Sequence, residues 1–336
     1  MTLFATPYSY KSFSKVLALT TLSVLLIAVA VINLVIDPYN EHGWFSKFSY
    51  RSNQTTAFRL FQKLRDKPYT LVFGTSTSAP IDEACVKGDV LNFSLSLYGE
   101  PERIYYALRS LSPQQVRNIA KIYYAVEHNV LHANPVTNTD VDFNSKWGFY
   151  YRTVRNIQKP KIIACLDCVF KRTSGLADSI ITDTGVYRHL RDRPFNAEGY
   201  EKHVVFTHEP QQVEYLRKLA EFARDHQIEF VVLRTMVSAE FLKRVDFFSL
   251  EQHFDRVLSA VPSFYSLMWV ENVSDDLKYF RDPIHPSYAG TRKEMEELLS
   301  PRAGSYLVSK ANLKEYIATL KSKVRVGASV TSKLSS

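Results

Sequence analysis

Two short blocks at opposite ends of the chain carry residue types suited to serine acyl chemistry. The first reads Leu71-Val72-Phe73-Gly74-Thr75-Ser76 and the second Asp282-Pro283-Ile284-His285-Pro286. A serine hydroxyl is a weak nucleophile at neutral pH. It needs a base within hydrogen-bond reach, and the base needs a partner that fixes its tautomer. An Asp three residues before a His offers that partner within one turn, and Pro283 and Pro286 stiffen the turn. The apolar run before Ser76 reads as a buried strand, so residues 74–76 fall at its carboxyl end, where open α/β sheets hold their ligands. Ser78 is a second hydroxyl in the same stretch, available as a nucleophile or as a helix cap. Its distance from Gly74 makes it the less favoured of the two.

Taken together and in order, these blocks resemble the SGNH (GDSL-like) hydrolase superfamily. They are most similar to its membrane-tethered bacterial branch of alginate O-acetylation and teichoic-acid D-alanylation proteins. Gly74-Thr75-Ser76 stands where that superfamily has Gly-Asp-Ser or Gly-Ser-Ser, and residues 282–286 match its Asp-x-x-His-Pro block. Its second block, Asn-x-Gly/Ser-x-Ser-Gly, falls on Asn92-Phe93-Ser94-Leu95-Ser96-Leu97, and Asp37-Pro38-Tyr39 matches a motif that follows the branch's membrane helix. The resemblance spans roughly residues 16–300. It implies Ser76 as nucleophile, His285 as base and Asp282 as its partner. It also implies an oxyanion site drawn from residues near Leu97 and Gly99, with Asn129 and Asn92 as further polar contributors. The chain departs from the pattern in two places. Leu97 replaces the second-block glycine, and Glu127-His128-Asn129 is the nearest match to a missing Gly-x-Asn-Asp.

The elements that must position these residues can be read from periodicity. Strands are expected at 69–73, 90–93, 119–126, 228–233 and 267–270, and helices at 55–64, 101–111, 209–226, 249–258 and 289–299. Strands alternating with amphipathic helices imply an α/β fold with a parallel sheet. The resemblance sharpens this to a three-layer, SGNH/flavodoxin-like sandwich over residues 67–300. The regular pattern breaks between about 131 and 208, a stretch rich in aromatic and Arg residues. It is too long for a simple loop and reads as an inserted cap with helices around 150–175. Residues 301–336, rich in Ser and Lys, read as a peripheral, partly disordered tail.

Residues 16–36 carry no charge, and about 21 such residues suffice to span a bilayer as a helix. Lys11 and Lys15 precede them; Asp37 and Glu41 follow. That asymmetry directs the amino terminus to the cytoplasm and the remainder outside. The run is long for a cleaved signal peptide and lacks a small-residue cleavage site, so an uncleaved signal anchor is expected, with residues 37–66 as a juxtamembrane segment and helix. Net charge is +8, yet no helix-turn-helix, zinc-finger or RNA-binding signature accompanies it, which argues against a nucleic-acid partner. Cys85, Cys165 and Cys168 are too few for a disulfide framework, and Cys165-x-x-Cys168 lacks the second pair of a zinc site. His128, His132 and His253 show no metal-ligand spacing, and no glycine-rich phosphate loop is present, so no cofactor or metal is expected.

The resulting expectation is a serine O-acyltransferase or esterase, anchored in the bacterial inner membrane with its domain in the periplasm, acting on an acyl ester of an envelope polysaccharide. The resemblance further implies a multi-pass membrane acyltransferase as partner. A non-catalytic glycan-binding or assembly protein with the same fold is the alternative, and a lipase-like enzyme is a third reading. The topology is directly testable. A periplasm-dependent reporter fused after Ser336 is expected to be active and a cytoplasm-dependent one silent; the reverse pattern removes the envelope assignment.

Overall fold

The computed structural model describes residues 10–36, 54–97, 99–127, 130–131, 179–189, 194–198 and 203–333. The Asp37-Pro38-Tyr39 motif, Asn129, Cys165, Cys168 and the helices expected around 150–175 lie outside them. In chain order the elements are α1 (Tyr10–Ile36), α2 (Gln54–Lys63), β1 (Tyr69–Phe73), α3 (Glu83–Val86), β2 (Val90–Asn92), α4 (Pro101–Arg109), α5 (Pro113–Arg117), β3 (Ile119–Ala125), β4 (Ser179–Ile181), β5 (Tyr187–His189), α6 (Pro210–Asp225), β6 (Glu229–Arg234), α7 (Ala239–Leu242), α8 (Phe247–Ala260), β7 (Ser263–Ser266), α9 (Tyr288–Leu298), β8 (Leu307–Ser309) and α10 (Leu313–Lys333).

Among the described residues, a six-stranded sheet runs in the order β2-β1-β3-β6-β7-β8. Its pairings are parallel except for the antiparallel edge β7–β8. The class is therefore α/β with a mostly parallel, mixed sheet. Strand order reverses direction between β1 and β3, a switch point at which the loops leaving the two strands diverge and open a crevice.

Alternation along the strands explains the burial. Leu71, Phe73, Ile122, Tyr124 and Val232 point into one apolar cluster with α2, α4, α6, α8 and α10. Val72, Val90, Tyr123, Ala125 and Leu233 point into the other, with Cys85, Met295 and Leu298 from the helices α3 and α9. Alternate side chains of the strands are thus buried in two separate apolar clusters, as near-continuous apolar strands require. The helices start where the sequence provides caps. Pro stands at the first turn of α4, α5 and α6, and Ser112 with Gln115 forms a capping box on α5.

Two expectations are corrected. The strand expected at 267–270 lies instead at Ser263–Ser266. The more apolar residues after it are buried coil, with the Val270 N–H donating to Ser274 Oγ at 2.9 Å. Residues 301–333 do not form a peripheral tail. They supply the edge strand β8 and the helix α10, whose Leu313, Ile317 and Leu320 are buried in the main core. These three recur at helical spacing beneath a lysine-rich exterior.

The expected membrane segment falls within α1, which is 27 residues long. Phe13, Val16, Leu17, Leu19, Leu22, Val24, Leu25 and Ile27 on it are exposed. Among the described residues, no helix is long and apolar enough to cross a membrane; the side chains of residues 29–36 lie outside that set. Because α10 is part of the core, Ile317→Ala is expected to destabilise the fold by about 2–4 kcal/mol, read from denaturant unfolding. A loss below about 0.5 kcal/mol would mark α10 as peripheral.

Candidate functional site

The Asp282–His285 turn is shaped by its own carboxylate. Asp282 Oδ1 accepts the backbone N–H groups of Ile284 and His285 at 3.0 and 2.8 Å. Phe280 and Pro286 bridge across the base of the turn, and the Arg281 N–H donates to the His285 carbonyl at 3.0 Å. From outside, both the N–H and the Oγ of Ser238 donate to the Pro283 carbonyl at 3.0 Å. The turn is thereby tied to the loop that leaves β6.

The loop that carries Ser76 leaves β1. Gly74 is required there by close approach: a Cβ would lie 2.2 Å from Ser78 Oγ and 2.8 Å from Ala125 Cβ. Asn92, at the end of β2, closes the loop. Its Nδ2 donates to the carbonyls of Ser78, Ala79 and Ile81 at 3.0–3.2 Å, and its Oδ1 accepts from the Ser94 N–H at 3.0 Å. Asn92 thus braces the loop that carries Ser76.

These two loops bring Ser76, His285 and Asp282 together. Ser76 Oγ lies 2.7 Å from His285 Nε2. His285 Nδ1 lies 2.9 and 2.8 Å from the two Asp282 oxygens. With Nδ1–H donating to the carboxylate, Nε2 is left as the acceptor for the serine proton. Ser76 is exposed, and the imidazole and carboxylate are largely but not fully covered. Ser78 does not compete: it is fully buried, its Oγ donating to the Thr75 carbonyl and meeting Ser94 Oγ at 2.9 Å.

The second-block residues divide. The Leu97 N–H is taken by the Phe93 carbonyl at 3.0 Å, and the side chain is buried. Leu97 therefore cannot supply an oxyanion donor. Gly99, two residues on, has a left-handed φ of +68°, and a Cβ there would sit 2.7 Å from the Gly74 carbonyl oxygen. This close approach places it against the loop that carries Ser76. Among the described residues, no backbone carbonyl engages the N–H of Ser76 or of Gly99. Asn129 lies outside the described residues.

Polar residues that the sequence reading passed over surround this centre. Asp82 caps α3 and accepts from Arg188 Nη2 at 3.1 Å and from the Tyr288 hydroxyl at 2.8 Å. It joins the β4–β5 hairpin to the helix that follows His285. Glu127 and Arg234, both almost fully buried, pair at the carboxyl ends of β3 and β6. Cys85 is no alternative nucleophile, since burial pushes its thiol up to about 12.

No family model matches the sequence, and no curated protein is found to be similar to it.

Glu294 on α9 is also fully buried, with the Met236 N–H donating to its Oε1 at 2.8 Å. Burial pushes its carboxyl up to about 8; Glu127 adds to the rise, while the Met236 N–H and Arg234 oppose it. The unfolded chain titrates this group near 4.3. A folded pKa above the unfolded one contributes stability that is full below the lower value and is lost as pH rises through the higher. Glu294→Gln keeps the acceptor for Met236 and removes the titration. It is expected to gain on the wild type as pH rises from 5 to 9, reaching roughly 5 °C in melting temperature at pH 9. Parallel melting curves for the two proteins across that range would contradict this.

Proposed function

We propose that this chain is an SGNH-type serine O-acyltransferase or acyl esterase that acts on an envelope polysaccharide. In this reading α1 is a signal anchor, the sheet and its helices form a three-layer, flavodoxin-like sandwich, and the domain stands outside the cytoplasm. The observation that carries the proposal is the contact of Ser76 Oγ with His285 Nε2 at 2.7 Å, with Asp282 on the other ring nitrogen.

His285 takes the Ser76 proton as Oγ attacks the ester carbonyl. The tetrahedral oxyanion is met by the backbone N–H groups of Ser76 and Gly99. Collapse breaks the bond to the leaving alcohol, which receives the proton from His285, and leaves the acyl group on Ser76. An acceptor hydroxyl then gives its proton to His285 and attacks the acyl-serine, which restores the free hydroxyl. A sugar hydroxyl as acceptor makes the enzyme a transferase; water makes it an esterase. A tether at the membrane favours transfer, since it holds the domain beside a multi-pass partner that delivers the acyl group.

One observation favours a second reading. With the Leu97 N–H engaged by Phe93, the oxyanion site lacks the donor at its usual second-block position. A glycan-binding or assembly protein that keeps the fold without catalysis needs no such donor.

A fluorophosphonate probe separates the two readings, because it labels an activated serine at one equivalent. The wild type is expected to be labelled at Ser76. Ser76→Ala and His285→Ala should each cut ester turnover by roughly 10⁴-fold or more, with the double variant little worse than either single, because the residues act as a unit. Asp282→Asn should cost no more than roughly 10⁴-fold, through the wrong tautomer of a retained imidazole. Wild-type acylation of glycan in cells carrying only Ser76→Ala would leave the binding reading standing.

A further inference from the structure

We propose that Glu127 is a positioning residue that sets the distance between the nucleophile and the base, acting through Thr77 on one side and Thr235 on the other; this rests on Ser76 being the nucleophile. Thr77 follows Ser76 directly and is buried. Its Oγ1 donates to Glu127 Oε1 at 2.6 Å. The same oxygen accepts from Thr235 Oγ1, and Glu127 Oε2 accepts from Arg234 Nη1. One buried carboxylate, just past β3, therefore holds the residue after the nucleophile and the two residues where β6 ends. Three residues beyond Thr235, Ser238 donates twice to the Pro283 carbonyl inside the catalytic turn. The chain of contacts runs from Ser76's neighbour, through Glu127, to the segment that pins His285.

This arrangement does more than satisfy a buried charge. A buried ion pair is a weak source of stability, because desolvating both partners offsets their attraction. Arg234 alone would balance Glu127. The two threonine hydroxyls add direction, because each ties a specific backbone segment to one oxygen. Ser76 is exposed, so its own side chain has little packing to hold it. Its position relative to Nε2 must come from the backbone on either flank. Gly74 is fixed on one flank by its close contacts with Ser78 and Gly99, and Thr77 is fixed on the other by Glu127. A misplacement of about 1 Å between reacting groups is enough to cost roughly 100-fold in rate.

The test uses the full-length protein and the fluorophosphonate probe, with the limiting labelling rate and the probe's half-saturation read separately. Thr77→Val keeps the shape and removes the donor. It should slow the limiting rate by about 10- to 100-fold and leave half-saturation within about twofold, whereas Thr77→Ser, which keeps the hydroxyl, should label at close to the wild-type rate. Thr235→Val reads the same carboxylate from the base's side and should also slow the limiting rate; it stands in if Thr77→Val fails to fold. A folded Thr77→Val or Thr235→Val that labels at the wild-type rate, or a melting-temperature change with no rate change, overturns the role of Glu127 and leaves the triad intact. A wild type that never labels removes the catalytic reading itself, and this inference with it.

Discussion

The Asp282 carboxylate carries two tasks at once, and the geometry of the site depends on their coincidence. It accepts backbone N–H groups from Ile284 and His285 and so fixes the shape of the turn. It also faces Nδ1 of the imidazole that the turn presents. A carboxylate facing Nδ1 favours the tautomer with the proton on that nitrogen, which leaves Nε2 as the acceptor toward Ser76. The turn supplies its base with a partner from its own residues, and Ser238 pins it from the loop after β6. What it needs from the rest of the fold is delivery of Ser76 to within hydrogen-bond distance across 209 positions of sequence.

That delivery follows from the parallel sheet. Parallel strands send all their carboxyl ends to one edge, so the loops after β1, β3, β6 and β7 meet there whatever their separation along the chain. Edge strands need covering, and the β4–β5 hairpin covers β2: the Asn92 N–H donates to the Thr184 carbonyl at 2.8 Å and the Tyr187 N–H to the Ala79 carbonyl at 2.9 Å. Gly185 lies so close to the Asn92 carbonyl that a Cβ would sit 2.1 Å from it. The hairpin therefore braces the loop that carries Ser76 from outside while Asn92 braces it from within.

Most of the core strands and the Asp282–His285 turn were legible because each is encoded locally. A run of strand-forming residues from Tyr69 to Phe73 declares β1, and Asp-x-x-His declares its own turn. The errors fell where local composition and packing disagree. Residues 267–270 are more apolar than Ser263–Ser266, yet only the latter pair with β6 and β8. The lysines of α10 gave it the look of a solvated tail, although Leu313, Ile317 and Leu320 face the core. The Leu97 position was read from block spacing alone, and the hydrogen bond to Phe93 shows why spacing misleads there. Gly99, with a left-handed φ of +68°, is the residue that approaches the Gly74 carbonyl. The Glu127 network was illegible for a different reason. Its partners lie 50 and 107 residues away, and no periodicity marks a polar residue at the end of a strand as belonging to them.

Those buried polar residues weigh on the stability of the sheet's carboxyl edge. Glu127, Arg234 and Glu294 lie where apolar side chains would pack at no desolvation cost. The amino ends of the same strands carry no comparable cluster among the described residues. Local rules of burial are broken at one end of the sheet, the end that holds Ser76 and His285. Such violations persist where position matters more than stability. An apolar contact at that edge would tolerate sliding, since dispersion is non-directional, whereas hydrogen bonds to a single carboxylate oxygen fix both direction and distance. The charge pattern of this edge is what a fold needs when two loops from distant parts of a chain must be held in a fixed register.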